Sequence, residues 1–106
     1  MFRAILILKA APEQAEALID HYAQYEVMAE GIRQAGGLEC ELCVAEDDPG
    51  DMAVISLWPS RDAYQLWLDH PVRARITAPI SHMMPEAHGR VYRVEDRVSR
   101  ASLGLE

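Results

Sequence analysis

One stretch of the sequence decides the fold, residues 54–71, which read VISLWPSRDAYQLWLDHP. Its first five residues are apolar on both faces apart from one serine, a pattern typical of a strand that is covered on both sides. Pro59 interrupts the strand, and Ser60 is a favoured N-cap for a helix over about 61–69. The His-Pro pair that follows ends or kinks the helix, because proline lacks a backbone donor. The stretch therefore predicts a strand, a break and an amphipathic helix in direct succession.

Outward from this stretch, hydrophobic spacing predicts three more strands, one long helix and one weak helix. The predicted order is strand 2–9, helix from about 12 to 34, strand 38–46, turn 47–51, strand 52–58, helix 61–69, weak helix 72–80, irregular chain 81–88 and strand 90–95. The first helix is expected to stop at a Gly-Gly pair. The pattern β-α-β-β-α-β is ferredoxin-like and predicts an α+β fold with a four-stranded antiparallel sheet.

Two of the predicted strands, 2–9 and 52–58, are apolar on both faces. The helices of a ferredoxin-like unit cover one face of its sheet, and the other face is polar when it meets water. Since large apolar patches are rare on soluble monomers, we expect the same face of a second copy to cover it. The sequence thus predicts a homodimer in the form of a dimeric α+β barrel, the alternative being a monomer with an unusually apolar sheet.

Length and charge exclude several classes of partner. The 106 residues fit one domain, expected over 1–97, with a C-terminal tail over 98–106. Ten basic and 17 acidic residues give a net charge of -7, which disfavours nucleic acid. No basic patch or long apolar run predicts contact with a membrane. No targeting signal is recognisable, so we expect a cytoplasmic protein.

The stretch 54–71, together with the Gly36-Gly37 entry to the second strand, resembles the antibiotic biosynthesis monooxygenase family of dimeric α+β barrels. The shared pattern is a strand ending in Trp, a Ser cap, an Ala-aromatic pair, a second aromatic residue and a Pro-containing turn. The resemblance extends over about residues 2–96. It implies chemistry on small molecules: some members oxygenate polycyclic phenols or anthrones without metal or flavin, and others act on quinols, cleave haem or process signalling molecules.

The resemblance also implies site residues. Trp58 and Tyr64 match pocket residues of the anthrone oxygenases, and Trp67 matches a pocket Trp of the haem-cleaving members. Val54 stands where the anthrone oxygenases have Asn, and Thr77 where the haem-cleaving members have their iron-ligating His. The resemblance therefore does not extend to haem cleavage.

Cofactor-free oxygenation is chemically reasonable because an electron-rich phenol or anthrone, once deprotonated, can pass an electron to O2 itself. The protein then needs aromatic walls, a proton acceptor and groups that stabilise an oxyanion. We therefore expect an aromatic or quinol-like ligand with O2 and no bound cofactor. The candidate catalytic residues are Trp58, Tyr64, His70 and His82, with His88 as a further proton acceptor. The candidate substrate-binding residues are Tyr22, Tyr25, Trp67 and Met83. Core packing is the alternative role for these aromatic residues.

Two other motifs are assigned no chemistry. Cys40 and Cys43 spell CxxC, but they lie mid-strand, where residues three apart point to opposite faces, so no redox role is expected. His82, Glu86 and His88 match no standard ligand spacing, so no metal site is expected.

Two other functions stay open beside the oxygenase. A non-catalytic dimer that binds a small apolar ligand is favoured by Val54, the position at which anthrone oxygenases have Asn. An isomerase or cyclase would need a His in the pocket and would be insensitive to oxygen, because it only transfers protons.

Overall fold

The strands of the chain pair into one sheet, and the helices pack together against one of its faces. The computed structural model describes residues 1–105. The elements are β1 (Phe2–Lys9), α1 (Ala15–Gln24), α2 (Val27–Ala35), β2 (Glu39–Ala45), β3 (Asp48–Trp58), α3 (Arg61–Leu68), α4 (Pro71–Thr77) and β4 (His88–Arg93), with 3-10 turns at Pro12–Gln14 and Ala78–Met83.

The sheet has the strand order β2-β3-β1-β4, and every neighbouring pair is antiparallel. The two apolar strands, β1 and β3, are therefore the central ones, as burial on both faces requires. The predicted α+β class, the ferredoxin-like order and the four-stranded antiparallel sheet are confirmed.

Side chains of the three paired strands β1, β2 and β3 divide by residue number. Ile5 pairs with Ile55, and Leu6 pairs with Val54, so odd residues stand beside odd ones and even beside even. The even-numbered residues of β1 and β3, Ala4, Leu8, Met52 and Trp58 among them, pack into the core under the helices. The odd-numbered residues form the opposite surface, which we call the outer face. Ile5, Ile7 and Ile55 remain half-buried there.

One end of the outer face is crossed by the chain that follows β4. The backbone N–H of Val94 donates to the carbonyl of Met1 at 2.9 Å, and Arg97 pairs with Glu39 at 3.5 Å. Since β4 and β2 are the two edges of the sheet, this segment spans the sheet from edge to edge. Leu57 pairs with Arg3 on one side and with Glu39 on the other, so it lies between the two edges. It is an odd-numbered residue of the outer face, yet it is only 2% exposed.

The predicted helix over 12–34 is wrong in one respect, because it is two helices. Glu26 adopts a left-handed conformation with φ of 49°, which separates α1 from α2. Tyr22 is buried, and the next buried residue is Val27, five positions later. In an unbroken helix the residue four positions after Tyr22, which is Glu26, would lie on the buried face instead. The extra residue rotates α2 so that Val27 and Gly31 face the core, and Arg33 contacts both carboxylate oxygens of Glu26 at 3.2 Å.

The predicted turn over 47–51 is also too long. The chain reverses at Glu46 and Asp47, a bulge follows Val44, and β3 begins at Asp48. The strand continues through Gly50 because its carbonyl accepts a bond of 2.9 Å from the Ala10 N–H, just beyond β1. A backbone partner thus overrides the turn-forming composition.

The two caps after β3 follow the sequence closely. Ser60 accepts a bond from the Ala63 N–H at 3.1 Å, as expected for an N-cap. The helix α3 ends at Leu68 with Asp69 as its C-cap. The Nδ1 of His70 accepts a bond from the Val72 N–H at 3.1 Å, which caps α4. The last strand begins two residues earlier than predicted, at His88. Within residues 1–105, no helix is both long and apolar enough to cross a membrane.

Candidate functional site

A narrow cavity, which we call the inner chamber, lies between the sheet and the helices α2 and α3. Its volume is about 50 Å3, enough for water-sized molecules. Its sheet wall consists mainly of even-numbered strand residues, since those face the helices, and Glu39 at the start of β2 also borders it. The even-numbered residues are Ala4, Leu6, Cys40, Val54, Ser56 and Trp58.

Trp58 forms the end of the inner chamber and is only 3% exposed. Its indole Nε1 donates a hydrogen bond of 2.8 Å to the hydroxyl of Ser56, which satisfies both buried polar groups. The Tyr64 ring lies 5.3 Å from the Trp58 ring at a tilt of 52°, a favourable aromatic geometry. This pair gives the chamber a rigid aromatic wall.

Two glycines, Gly31 on α2 and Gly37 between α2 and β2, let the backbone approach the indole rings closely. A Cβ on Gly31 would lie 3.2 Å from the Trp67 ring, and a Cβ on Gly37 would lie 3.2 Å from the Trp58 ring. Glycine at both positions therefore keeps Trp58 and Trp67 in close packing at one end of the chamber.

A wider cavity, the outer chamber, adjoins the inner one and has a volume of about 440 Å3. That volume lies within the range of small-molecule sites. It extends under the segment that leads into β4 and is bordered there by Met84, Ala87, His88 and Gly89. The two chambers have six lining residues in common, Leu6, Tyr22, Tyr64, Leu68, Arg73 and Thr77.

The polar groups of this common wall are two phenols, one hydroxyl and one guanidinium. Burial raises the pKa of Tyr22 to about 12, and the positive charge of Arg73 acts in the opposite direction. Burial also raises the pKa of Tyr64, again against the charge of Arg73. Both phenols therefore keep their protons at neutral pH and serve as hydrogen-bond donors rather than bases.

Residues 1–78 match the family model described as antibiotic biosynthesis monooxygenase. The chain belongs to the antibiotic biosynthesis monooxygenase family. The predicted resemblance is confirmed, and the matched segment contains Tyr22, Trp58, Tyr64, Trp67 and Arg73. No curated protein sequence matches the chain significantly.

Solved structures agree with this family. A crystal structure of an antibiotic biosynthesis monooxygenase is 25% identical, covers 93% of this chain and all of its own, and superposes with a TM-score of 0.71. The N63A mutant of SnoaB, a cofactor-independent oxygenase from Streptomyces nogalater, is 15% identical, with 92% and 95% coverage and a TM-score of 0.72. Rv0793 from Mycobacterium tuberculosis is 16% identical, with 92% and 98% coverage and a TM-score of 0.77. The last two show similarity of fold.

Four of the predicted site residues of this family member lie together. Trp58, Tyr64, Tyr22 and Trp67 all line the inner chamber, and the two tyrosines line the outer chamber as well. They reach the site from three elements, β3, α1 and α3, so sequence distance gave no direct sign of their contact.

The other four predicted site residues lie outside the walls of both chambers. Tyr25 is 47% exposed and stacks on His21 with ring centres 4.4 Å apart. His70 caps α4, His82 is exposed, and Met83 packs against the core. His88 is the histidine that borders the outer chamber.

Arg73 is the site residue that sequence reasoning missed. It shares a face of α4 with Ile76 and Thr77, and Ile76 is buried. A charged residue at the spacing of an apolar stripe was the available signal. Cys40 also lines the inner chamber, whereas Cys43 has an odd number and faces outward, as the strand assignment predicted. In the described part of the chain, no cluster of three His, Cys, Asp or Glu side chains could hold a metal ion.

Proposed function

We propose that the chain is a cofactor-independent monooxygenase that acts on a small aromatic or quinol-like molecule. The observation that carries the proposal is the aromatic wall of Trp58, Tyr64, Tyr22 and Trp67 around two adjoining chambers. Family membership supports the reaction type, and the similar fold of SnoaB, a cofactor-independent oxygenase, agrees with it.

The two volumes suit different reactants. A ligand of two or three fused rings fits the outer chamber of about 440 Å3, whereas the inner chamber of about 50 Å3 suits a molecule the size of dioxygen. In this arrangement the ring of the ligand lies against Tyr22 and Tyr64, and dioxygen lies beyond it towards Trp58. The apolar walls exclude water from the reacting centre.

The reaction needs no added reductant when the substrate has an anthrone-type CH2 group. Loss of one proton gives an electron-rich anion, which transfers one electron to O2, and the two radicals combine into a C–O–O bond. The first proton returns to the terminal oxygen and gives a hydroperoxide. Loss of the remaining C–H proton and of hydroxide, together one water molecule, then leaves a C=O group in place of CH2. In the proposed reaction the phenol protons of Tyr22 and Tyr64 stabilise the anion by hydrogen bonds, and His88, an exposed residue at the border of the outer chamber, accepts the first proton and returns it to the peroxide.

Oxygen uptake with a panel of anthrones and hydroquinones tests the proposal. We expect uptake above the rate without protein, with a loss of roughly tenfold or more in Trp58→Ala and in Tyr64→Phe. Tyr92→Phe is the matched control, because Tyr92 is an exposed tyrosine on β4. Uptake that stays at the rate without protein for the whole panel would reject the oxygenase.

A binding protein without catalysis is the second candidate. Val54 borders the inner chamber and supplies no polar group to a reaction there. Tight binding of an aromatic ligand by the wild-type protein, without oxygen uptake, would favour this function. Conversion of the ligand at equal rates with and without oxygen would instead indicate an isomerase or cyclase.

We further propose that the protein is a homodimer joined through the outer face. The apolar side chains Ile5, Ile7 and Ile55 lie side by side on adjacent strands and are only half-buried by their own chain. The same patch on a second copy would cover them about a two-fold axis.

A further inference from the structure

Arg73 is a cation on the wall of a largely apolar site. Of the six residues that border both chambers, Arg73 alone carries a charge. Its position on α4 places it on the face that also carries the buried residue Ile76. The side chain is half-buried, so it retains only part of the hydration that a surface arginine has.

No carboxylate among residues 1–105 forms an ion pair with Arg73, although the chain has 17 acidic residues. Glu39 is the one acidic residue that borders the inner chamber, and its carboxylate pairs with Arg3 at 3.8 Å and Arg97 at 3.5 Å. A guanidinium in this position is therefore available to a ligand.

The groups beside Arg73 are hydrogen-bond donors. Arg73, Tyr22 and Tyr64 line both chambers, and the charge of Arg73 acts to lower the pKa of both phenols. Burial keeps both phenols protonated at neutral pH, so two O–H donors and one guanidinium face the same space. Such a set fits an oxyanion, because each donor gains strength when its acceptor is charged.

We propose that the two chambers bind an aromatic ligand as an anion, with Arg73 as the counter-ion of its carboxylate or ionised enol oxygen. The inference deepens the proposed function, on which it rests, by restricting the substrates to acidic aromatic molecules. Arg73 is then a specificity-determining residue that holds the charged end of the ligand between Tyr22 and Tyr64.

Isothermal titration calorimetry with a matched pair of probes tests this inference. Naphthalene-2-carboxylate and its neutral amide, naphthalene-2-carboxamide, have the same rings and nearly the same shape. We expect the carboxylate to bind at least about tenfold more tightly than the amide, since charge-assisted bonds exceed neutral ones. An acidic nitronaphthol, ionised at neutral pH, is the arm that tests an enolate-type oxygen.

Two arginine variants make the test specific. Arg73→Gln removes the charge and should abolish the preference for the carboxylate, while Arg73→Lys should retain part of it. Arg75→Gln removes the same charge from an exposed position on the same helix, outside both chambers, and should keep the full preference. Thermal unfolding of each variant shows whether it is folded.

Three results would overturn the inference. The first is equal affinity of wild type for the carboxylate and the amide. The second is a preference that survives Arg73→Gln, and the third is a preference reduced equally by Arg73→Gln and Arg75→Gln. Oxygen uptake is measured separately, so the two proposals can fail independently. A carboxylate preference without any oxygen uptake keeps Arg73 as the anion site and rejects the oxygenase. Oxygen uptake that is unaffected by Arg73→Gln keeps the oxygenase and rejects Arg73 as the anion site.

Discussion

The hydrogen bond between Trp58 and Ser56 is the polar contact on which the aromatic wall depends. Both residues are buried, they lie two positions apart on β3, and both face the inner chamber. The indole N–H has one donor to satisfy, and the serine hydroxyl is its partner. The serine that interrupts the apolar pattern of residues 54–58 thus has a structural reason.

Ser56→Ala should reduce the free energy of unfolding by about 1–3 kcal/mol, because it leaves a buried indole N–H without an acceptor. Urea unfolding measures the change. Since Trp58→Phe removes the donor as well, the double variant should cost less than the sum of the two single variants. Strict additivity would show that the bond contributes no stability.

Tyr22 should make stability depend on alkaline pH. Burial raises its pKa from 10.0 to about 12, so the folded state disfavours the ionised phenol. The contribution of the protonated phenol to the free energy of unfolding is complete below pH 10 and is lost as the pH rises through 10 to 12. The loss reaches about 1 kcal/mol by pH 11. Urea unfolding at pH 8 and pH 11 should show a smaller loss for Tyr22→Phe than for wild type. An equal loss in both proteins would contradict the assignment.

At the scale of elements, the places where the chain departs from its own sequence pattern have backbone causes. The break at Glu26 rotates α2 so that its apolar residues face the core. The strand β3 continues through Pro49 and Gly50 because the Ala10 N–H donates a hydrogen bond to the Gly50 carbonyl. Neither cause is visible in side-chain periodicity, which predicted one helix and a longer turn. Ser60, in contrast, accepts a hydrogen bond from a residue only three positions later, in the first turn of α3. Its capping role was therefore predictable from the sequence.

Gly50→Ala should destabilise the protein by about 1–3 kcal/mol. A Cβ at this position would lie 2.2 Å from the Ala10 carbonyl oxygen, and backbone cannot move aside as a flexible side chain can. Gly89→Ala is the matched control in β4, because its Cβ would have no contact shorter than 3.5 Å. Thermal unfolding of the two variants decides the point, and similar losses in both would refute the steric explanation.

The candidate site was predictable in its aromatic half only. Trp58, Tyr64 and Trp67 lie within ten residues of one another in the stretch that resembles the family, so sequence comparison could find them. Arg73 joins them only because α4 folds back over the chambers after Pro71. The same fold-back leaves His70 as a helix cap, although its residue type suggested a proton acceptor.

At the scale of the whole molecule, the outer face determines the expected assembly. Ile55→Lys places a charge at the centre of this face, beside Ile5, and should convert the proposed dimer into a monomer. Leu66→Lys is the control, because Leu66 is 53% exposed on α3 and lies away from the sheet. Sedimentation velocity measures the masses. A wild-type protein that sediments as a monomer would reject the dimer.

The division of the central strands by residue number has a consequence for how the protein can diverge. Val54 borders the inner chamber, and its neighbour Ile55 belongs to the outer face. Substitutions at even positions can therefore alter the chamber walls while the outer face keeps its chemistry, and substitutions at odd positions do the opposite. An insertion or deletion of one residue within β3 would turn the chamber residues to the outer face and the outer-face residues to the chamber. The chamber and the outer face can therefore change independently by substitution, but a change of strand length would disrupt both.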